Sequence, residues 1–240
     1  MFPKRKAKPF WGNKSRLKSS YDAVIIGGGL HGLATAYYLS RVHGMSDVAV
    51  LEKRYIGYGG AGRNTAIVRA NQRTQYNVPL YKEALELWPV LTKKLDFNLM
   101  FNKCGNLNLL HSEAAVKAAR MNVATAQFHG VKSRLIDAKE VKELEPALNV
   151  SEDIAFPIHG AMFHSPGGVV RHDAVVWGFA KGASAHGAHI HQQTEATAIH
   201  TENGKIAGVS TDRGRINTSK VLVSARSEEH TSELQSLLII

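Results

Sequence analysis

The chain has 240 residues, of which 44% are hydrophobic, and it carries a formal charge of +10 at pH 7. This length and apolar content suffice for a substantial core and exclude a disordered chain. Seven cations and no acids lie in residues 1–20, which leaves a charge of +3 on residues 21–240. The basicity therefore belongs to an N-terminal arm, and we expect no nucleic-acid-binding face.

The N-terminal arm lacks the hydrophobic stretch of an ordinary secretory signal. Pro3 and Pro9 disfavour the amphipathic helix of a mitochondrial transit peptide, although the basic, acid-free composition leaves that alternative open. We therefore expect a cytoplasmic protein, with the mitochondrial matrix as the alternative. We expect no membrane association, because the apolar run at residues 237–240 is too short to span a bilayer.

The first predicted elements form a βαβ unit. Apolar runs at residues 23–26 and 48–51 predict two buried strands, and residues 30–39 between them predict a helix. The start of this helix offers unpaired N–H groups to phosphates. Glu52 ends the second strand, twenty residues after Gly32, where a carboxylate accepts hydrogen bonds from ribose hydroxyls. Strand, helix, strand and acid in register predict a dinucleotide site rather than an ordinary glycine-rich turn.

The turn between the first strand and the helix carries the glycine pattern of that site. Gly27 allows the tight turn, Gly29 lets the backbone approach a pyrophosphate, and Gly32 lets the helix pack on the strand. The predicted cofactor-binding residues of this turn are Gly27, Gly28, Gly29, His31 and Gly32.

A long glycine-rich loop follows at residues 53–65. A nicotinamide enzyme usually enters another short βα unit at this point, so the loop favours FAD. Its backbone N–H groups and Arg63 are donors for anionic oxygens of the cofactor. The alternative is a mobile surface loop. The residues assigned to cofactor binding here are Lys53, Gly60, Arg63, Asn64 and Thr65.

Arg69 is the candidate catalytic residue. It follows the apolar pair Ile67-Val68, and this approach suits a partly buried cation. We expect Arg69 to lie near the flavin or near a substrate carboxylate.

The rest of the chain alternates predicted helices and strands. Helices are predicted at residues 78–95, 113–130, 138–144 and 170–185. Strands are predicted at residues 105–110, 154–157, 161–164, 189–191, 196–201, 206–211, 216–218 and 220–225.

Three histidines and one cysteine call for separate interpretation. His172 stands at a predicted helix start, where the helix dipole favours the neutral ring. It is either a structural hydrogen-bonding residue or a nucleophile for the 8α-methyl position of a flavin, with its ring oriented by Asp173 or a backbone group. His189 and His191 share one strand face, but without a third ligand we expect a surface strand and no metal site. Cys104 permits no internal disulfide, and we expect its thiol to be buried.

Several runs of the chain resemble one known family. Residues 21–39, with their run His-Gly-Leu-Ala-Thr, resemble the β subunit of heterotetrameric sarcosine oxidase, as do residues 51–53, 62–65 and 171–173. That subunit lies within the D-amino-acid-oxidase-like FAD-dependent amine oxidoreductases.

The resemblance implies an α/β fold, with a Rossmann-like FAD-binding domain of the GR2, or D-amino-acid-oxidase, type and the start of an α+β substrate domain. Because the family's β subunit is longer, we expect this chain to be its N-terminal part. The expected regions are a basic arm at 1–20, FAD-binding parts at about 21–78 and 166–225, a substrate-side part at about 79–165, and a non-native, adapter-derived tail at 226–240.

The resemblance also implies cofactors, partners and an activity. FAD is bound noncovalently, and FMN is attached to a histidine, here His172, at the interface with an α subunit; γ and δ subunits complete the heterotetramer, and the arm packs between subunits. Sarcosine is oxidised at FAD and electrons pass through FMN to oxygen, giving glycine, a one-carbon unit and hydrogen peroxide. Monomeric relatives have an arginine at the position of Ala66, so Arg69 either binds the substrate carboxylate or stabilises the anionic charge of the reduced flavin.

Two alternatives stay open. One is another FAD enzyme of the same fold, such as a dimethylglycine or D-amino-acid dehydrogenase. The other is a dinucleotide-binding module without catalysis, because the expected C-terminal half of the active site is missing. For the same reason we expect the chain alone to be inactive.

Overall fold

The computed structural model describes residues 16–72 and 74–225. The predictions for residues 1–15 and for the tail at 226–240 lie outside the described residues. The described residues divide into two compact units: the first unit comprises residues 16–64 and 172–225, and the second unit lies within residues 65–171.

In chain order the helices and strands are β1 (Ala23–Ile26), α1 (Leu30–Arg41), β2 (Val48–Glu52), β3 (Ile67–Val68), α2 (Val78–Leu95), β4 (Asn106–Leu110), α3 (Glu113–Phe128), β5 (Arg134–Ile136), α4 (Ala138–Leu144), β6 (Gly160–His164), β7 (Gly168–Val169), α5 (His172–Ala185), β8 (His189–Gln192), β9 (Ala196–Glu202), β10 (Lys205–Thr211), β11 (Gly214–Asn217) and β12 (Val221–Val223). Short 3₁₀ turns lie at Gly60–Gly62 and Gln75–Asn77.

A parallel sheet with the order β12-β1-β2-β8 forms the centre of the first unit. Its middle strands β1 and β2 are buried except at Glu52, because both faces of the sheet are covered. Ile25 lies on the face packed against α1, and Tyr37 of α1 meets Phe179 of α5 edge to face at 5.7 Å. The other face packs against the antiparallel sheet β11-β10-β9 through Val24, Ile26, Ala49, Leu51, Val209 and Ile216.

The parallel pairing sets the place of the candidate site. Ile26 at the end of β1 is in register with Leu51 of β2. Gly27 and Glu52 therefore follow at the same edge of the sheet, where the carboxyl ends of parallel strands form a crevice.

The second unit contains the antiparallel sheet β4-β6-β5 and the two-stranded ribbon β3-β7. One face of the larger sheet packs with α4 in a core that includes Ile136, Val141 and Ala161. Because β3 pairs with β7, Ile67 opposite Val169, both strands belong to this unit. The unit boundaries therefore fall at Asn64 and Arg171, outside the predicted substrate-side part at 79–165.

Most predicted elements are confirmed, and helices α2 and α4 have the predicted bounds. The predicted strand at 154–157 is wrong: these residues form no strand, Phe156 is exposed, and the proline at 157 cannot donate a ladder hydrogen bond. The short strands β3, β5 and β7 were not predicted, because runs of two or three residues are too short to show a period.

Two expectations about burial are also wrong. Cys104 is exposed, since it lies in the connection that leads into β4. β8 is not a surface strand: it pairs with β2, and His191 is only 1% exposed because Tyr21 covers it. The Tyr21 hydroxyl and His191 Nε2 lie 2.8 Å apart. His189 and His191 do share one face, with rings stacked at 7°.

Candidate functional site

The turn after β1 leaves no room for a Cβ atom at Gly27, Gly28 and Gly32; at Gly28 that atom would lie 2.8 Å from Cβ of Glu52. Gly27 has a φ of +116°, and a Cβ atom there would lie 2.5 Å from the carbonyl oxygen of Ser224. A Cβ atom at Gly32 would lie 2.1 Å from the carbonyl oxygen of Gly27. Gly29 differs, because no atom of the described residues lies within 4 Å of its Cβ position. The turn is thus packed tightly against the protein at Gly27 and Gly32 but open at Gly29, where the pyrophosphate of a dinucleotide can approach the main chain.

The start of α1 is suited to an anion. Its N-cap is Gly29, no side chain caps the helix, and its first turn contains no acid. The first intrahelical hydrogen bond is donated by the Leu33 amide to the Gly29 carbonyl at 3.0 Å. The N–H groups before Leu33 and the positive end of the helix dipole therefore favour phosphate oxygens.

Glu52 is fixed beside this turn by two backbone amides. The Gly28 N–H donates to Oε2 and the Arg54 N–H donates to Oε1, each at 2.9 Å. A carboxylate oxygen has two acceptor positions, so each oxygen retains one for a further donor. A ribose hydroxyl supplies such a donor, and the residues present therefore fit a dinucleotide.

The glycine-rich loop is tied to the same edge of the sheet. The Gly57 amide donates to the Gly28 carbonyl at 2.9 Å, and the Ile56 amide donates to Gln192 Oε1 at 2.9 Å. Asn64 donates through Nδ2 to the carbonyls of Gly60 and Ala61, so its side chain closes the 3₁₀ turn of the loop.

Two arginines of the loop enclose one tyrosine. The guanidinium carbons of Arg54 and Arg63 lie 4.4 and 4.3 Å from the centre of the Tyr58 ring, within the range of cation–π attraction. The Arg63 hydrogen bond, followed by the Arg54 charge, lowers the pKa of Tyr58. Arg63 was predicted as a cofactor residue, whereas its contact with Tyr58 and that of Arg54 were not predicted; the two tyrosines between Arg54 and Arg63 were the available signal.

The remaining predicted cofactor residues are less closely held. His31 is exposed in the first turn of α1, and Lys53 and Gly60 are exposed in the loop. Thr65 is the first residue of the second unit and is exposed.

His172 is the first residue of α5, which begins two residues after the predicted start at 170. The Asp173 N–H donates to its Nδ1 at 2.7 Å, while the Asp173 carboxylate lies 3.8 Å from the same atom. A backbone group therefore orients the ring. Because Nδ1 accepts this hydrogen bond, the neutral ring carries its proton on Nε2.

Arg69 lies in the second unit, directly after β3, and is half-buried. Its Nη1 donates to Asn108 Oδ1 at 3.3 Å. Next to it, the Ala70 N–H donates to Nε2 of His164, which is fully buried. Burial lowers the pKa of His164 and so favours its neutral ring. Asn108 and His164 were not predicted as site residues.

The described residues contain no helix long and apolar enough to cross a membrane. They also contain no group of three histidine, cysteine or acidic side chains arranged to hold a metal ion.

Fold and site together define an α/β dinucleotide-binding protein: a glycine turn, a helix N-terminus and a carboxylate meet at the carboxyl edge of a parallel sheet. The sequence profile of the family described as FAD dependent oxidoreductase matches residues 22–227. The chain belongs to this family.

Individual relatives agree with this membership. The sarcosine oxidase subunit beta of Rhizobium meliloti strain 1021 is 43% identical over 221 residues, which cover 92% of this chain and 53% of the relative. The same subunit of Rhodobacter capsulatus is 41% identical over 86% of this chain and 50% of the relative. The chain therefore spans about half the length of these curated relatives. The crystal structure of L-proline dehydrogenase from P. horikoshii matches with a TM-score of 0.80 and 31% identity, covering 88% of this chain and 54% of that one.

Proposed function

We propose that the protein is the FAD-dependent β subunit of a multisubunit oxidase that oxidises a secondary amine bearing a carboxylate, with sarcosine as the substrate. The observation that carries the cofactor assignment is Glu52, which the Gly28 and Arg54 amides hold beside the open turn at Gly29. The substrate class rests on the names of the relatives. Sarcosine and L-proline are both secondary amines with a neighbouring carboxylate, and proteins named for them resemble this chain.

The chain's own residues would hold FAD as follows. The N–H groups at the start of α1 receive the pyrophosphate, Glu52 accepts from the ribose hydroxyls, and Arg63 donates to anionic oxygens. Bound FAD would supply the acceptor for the hydride equivalent that leaves the carbon beside the amine nitrogen. In the second unit, Arg69 supplies a partly buried cation for a carboxylate.

His172 is proposed as the attachment residue for FMN at an interface with an α subunit. Because Nδ1 of His172 accepts a hydrogen bond from the Asp173 amide, Nε2 is the ring nitrogen that carries the proton in the neutral ring. Mass spectrometry of a tryptic peptide containing His172 detects a bound flavin, and the His172→Gln variant is the control that must lack it.

Anaerobic reduction by sarcosine of the full-length, FAD-loaded subunit, assembled with the α, γ and δ subunits, tests the proposed activity. Loss of the oxidised-flavin absorbance after addition of sarcosine, but not of glycine, is the expected result, because glycine is a primary amine. Bound FAD that sarcosine does not reduce, in the presence of the α, γ and δ subunits, would contradict the proposal. Addition of L-proline in parallel distinguishes sarcosine from a larger secondary amine.

A further inference from the structure

A polar row lies on one face of the sheet in the second unit. Directly opposed residues of antiparallel strands point to the same face, and Asn106 is paired with His164 and Asn108 with Met162. The next residues along β4 point to the other face, where Leu107 and Leu109 pack in the core. The alternation along β4 therefore places Asn106 and Asn108 on the face of His164 and Met162, opposite the face on which Leu107 and Leu109 pack.

Asn108 can present only its oxygen to Arg69. A guanidinium group only donates hydrogen bonds, so the bond from Arg69 Nη1 at 3.3 Å fixes Oδ1 of Asn108 on that side. The amide nitrogen of Asn108 then faces Asn106 and donates to its Oδ1 at 3.1 Å. The three side chains form a chain of two hydrogen bonds with one consistent direction, from Arg69 to Asn108 to Asn106.

His164 fixes the backbone beside Arg69. Its Nε2 accepts from the Ala70 N–H at 3.2 Å, so its Nδ1 carries the proton and donates to the Lys132 carbonyl at 2.6 Å. Both ring nitrogens are engaged in a fully buried side chain. The main chain next to Arg69 is thereby joined to β6 and to the segment before β5.

Arg69 has no ion pair with a carboxylate of the described residues. Its acceptor Asn108 is neutral. His164, which accepts from the neighbouring Ala70 amide, has a pKa lowered by burial, which favours its neutral ring. A half-buried guanidinium with neutral neighbours keeps its attraction for an anion, whereas a carboxylate at position 108 would cancel it.

We propose that Asn108, supported by Asn106, is a positioning residue that holds the Arg69 guanidinium for a monoanionic group. This inference rests on the proposed function for the source of the anion, which is either the carboxylate of the amine substrate or the anionic charge of the reduced flavin. Asn108 acts through Arg69 and does not itself bind the anion.

Three variants of the full-length, FAD-loaded subunit in its assembled oxidase test this role. Asn108→Leu removes the acceptor, and Asn108→Asp keeps the acceptor but adds a charge that pairs with Arg69. Asn77→Leu is the matched control, because Asn77 is exposed and its side chain forms no cap on α2. Calorimetric titration with sodium acetate gives the carboxylate affinity without any turnover, and thermal unfolding shows that each variant is folded.

Both Asn108 variants are expected to raise the dissociation constant for acetate about tenfold. Asn108→Leu loses the hydrogen bond that holds Arg69, and Asn108→Asp pairs the Arg69 charge with a carboxylate of the protein. The KM for sarcosine should rise by the same factor, while kcat and the dissociation constant for dimethylamine stay unchanged. If the anion is instead the reduced flavin, the flavin midpoint potential falls in both variants and acetate binding does not change. Folded variants in which neither acetate binding nor the potential changes would overturn the inference.

The outcome for the proposed function is separate. If sarcosine fails to reduce the wild-type protein, the amine oxidase assignment fails, but the acetate titration still decides whether Asn108 positions Arg69. If sarcosine reduces wild type and the Asn108→Leu variant with equal KM and equal potential, the assignment stands and the positioning role is wrong.

Discussion

The two units form their polar sites in different ways. In the first unit, the turn at Gly27–Gly32 and the acid Glu52 belong to one continuous βαβ segment. In the second unit, Arg69 meets Asn108 across 39 positions, and Ala70 meets His164 across 94. A site made from one local segment leaves a pattern in the sequence, whereas a site made by strand pairing leaves separate polar residues without a shared motif.

The largest expected effect concerns the local site. Gly32→Val places a side chain within 2.1 Å of the Gly27 carbonyl oxygen. We expect loss of FAD binding and a decrease in the free energy of unfolding of about 1–3 kcal/mol, because the helix must shift from the strand. Fluorescence titration with FAD and denaturant unfolding measure the two effects. Gly29→Ala is the control: it should leave unfolding unchanged, since its Cβ meets no described atom, and it should weaken FAD binding alone.

Glu52→Gln tests the carboxylate of the same site. Gln offers one oxygen and one NH₂ group to two amide donors, so one of the bonds from Gly28 and Arg54 is lost. We expect the dissociation constant for FAD to rise about tenfold, equivalent to about 1.4 kcal/mol. Equilibrium dialysis gives the constant. Glu86→Gln, an exposed acid on α2, should bind FAD like the wild type, and an equal effect of both changes would show that only net charge matters.

The pH dependence of stability compares a histidine from each unit. Burial lowers the pKa of His164 and of His189 below the ordinary value of 6.5. As the pH falls, the unfolded chain therefore binds protons at a higher pH than the folded protein does. These histidines thus leave the free energy of unfolding unchanged above pH 6.5 and decrease it as the pH falls below that value. We expect a smaller decrease for His164→Gln and for His189→Gln than for wild type. Urea unfolding at several pH values measures this, and parallel curves for all three proteins would contradict the assignment.

The smallest effect separates two asparagines of the second unit. Asn71 is 3% exposed, and neither polar atom of its side chain has a hydrogen-bond partner among the described residues. Asn71→Leu should therefore raise the free energy of unfolding by about 1 kcal/mol, because a buried unsatisfied amide is removed. Asn106→Leu should lower it by a similar amount, since Asn106 accepts from Asn108. Chemical denaturation of both variants tests whether the presence of a hydrogen-bond partner determines the sign of the change in the free energy of unfolding.

The sequence predicted the first unit better than the second for physical reasons. The run from Ala23 to Glu52 specifies strand, turn, helix and strand by its local periodicity and by glycines at positions too crowded for a side chain. The place of Glu52 at the end of the second strand could therefore be predicted as well. Arg69 was predicted as a partly buried cation from its apolar approach alone. Its partner Asn108 was not predicted, because the pairing of β4 with β6 that defines the polar face is a long-range contact.

Two predictions of burial were wrong because the periodicity of a segment does not show which distant residues pack against it. β8 was expected at the surface because its histidines are polar, but Tyr21 covers His191 from a position 170 residues away. Cys104 was expected inside because cysteine is often buried, but it lies in the exposed connection before β4.

The order of the two units along the chain has a consequence for biosynthesis. The central sheet needs β8 and β12 beside β2 and β1, yet the whole second unit is translated between β2 and α5. A nascent chain therefore completes the continuous second unit while β1 and β2 still lack their outer partners. Because exposed strand edges aggregate, slow synthesis after Arg171 should reduce the yield of native protein. The pairing of β3 with β7 brings the two ends of the second unit together. It therefore shortens the loop that must close before β8 and β12 can join β2 and β1.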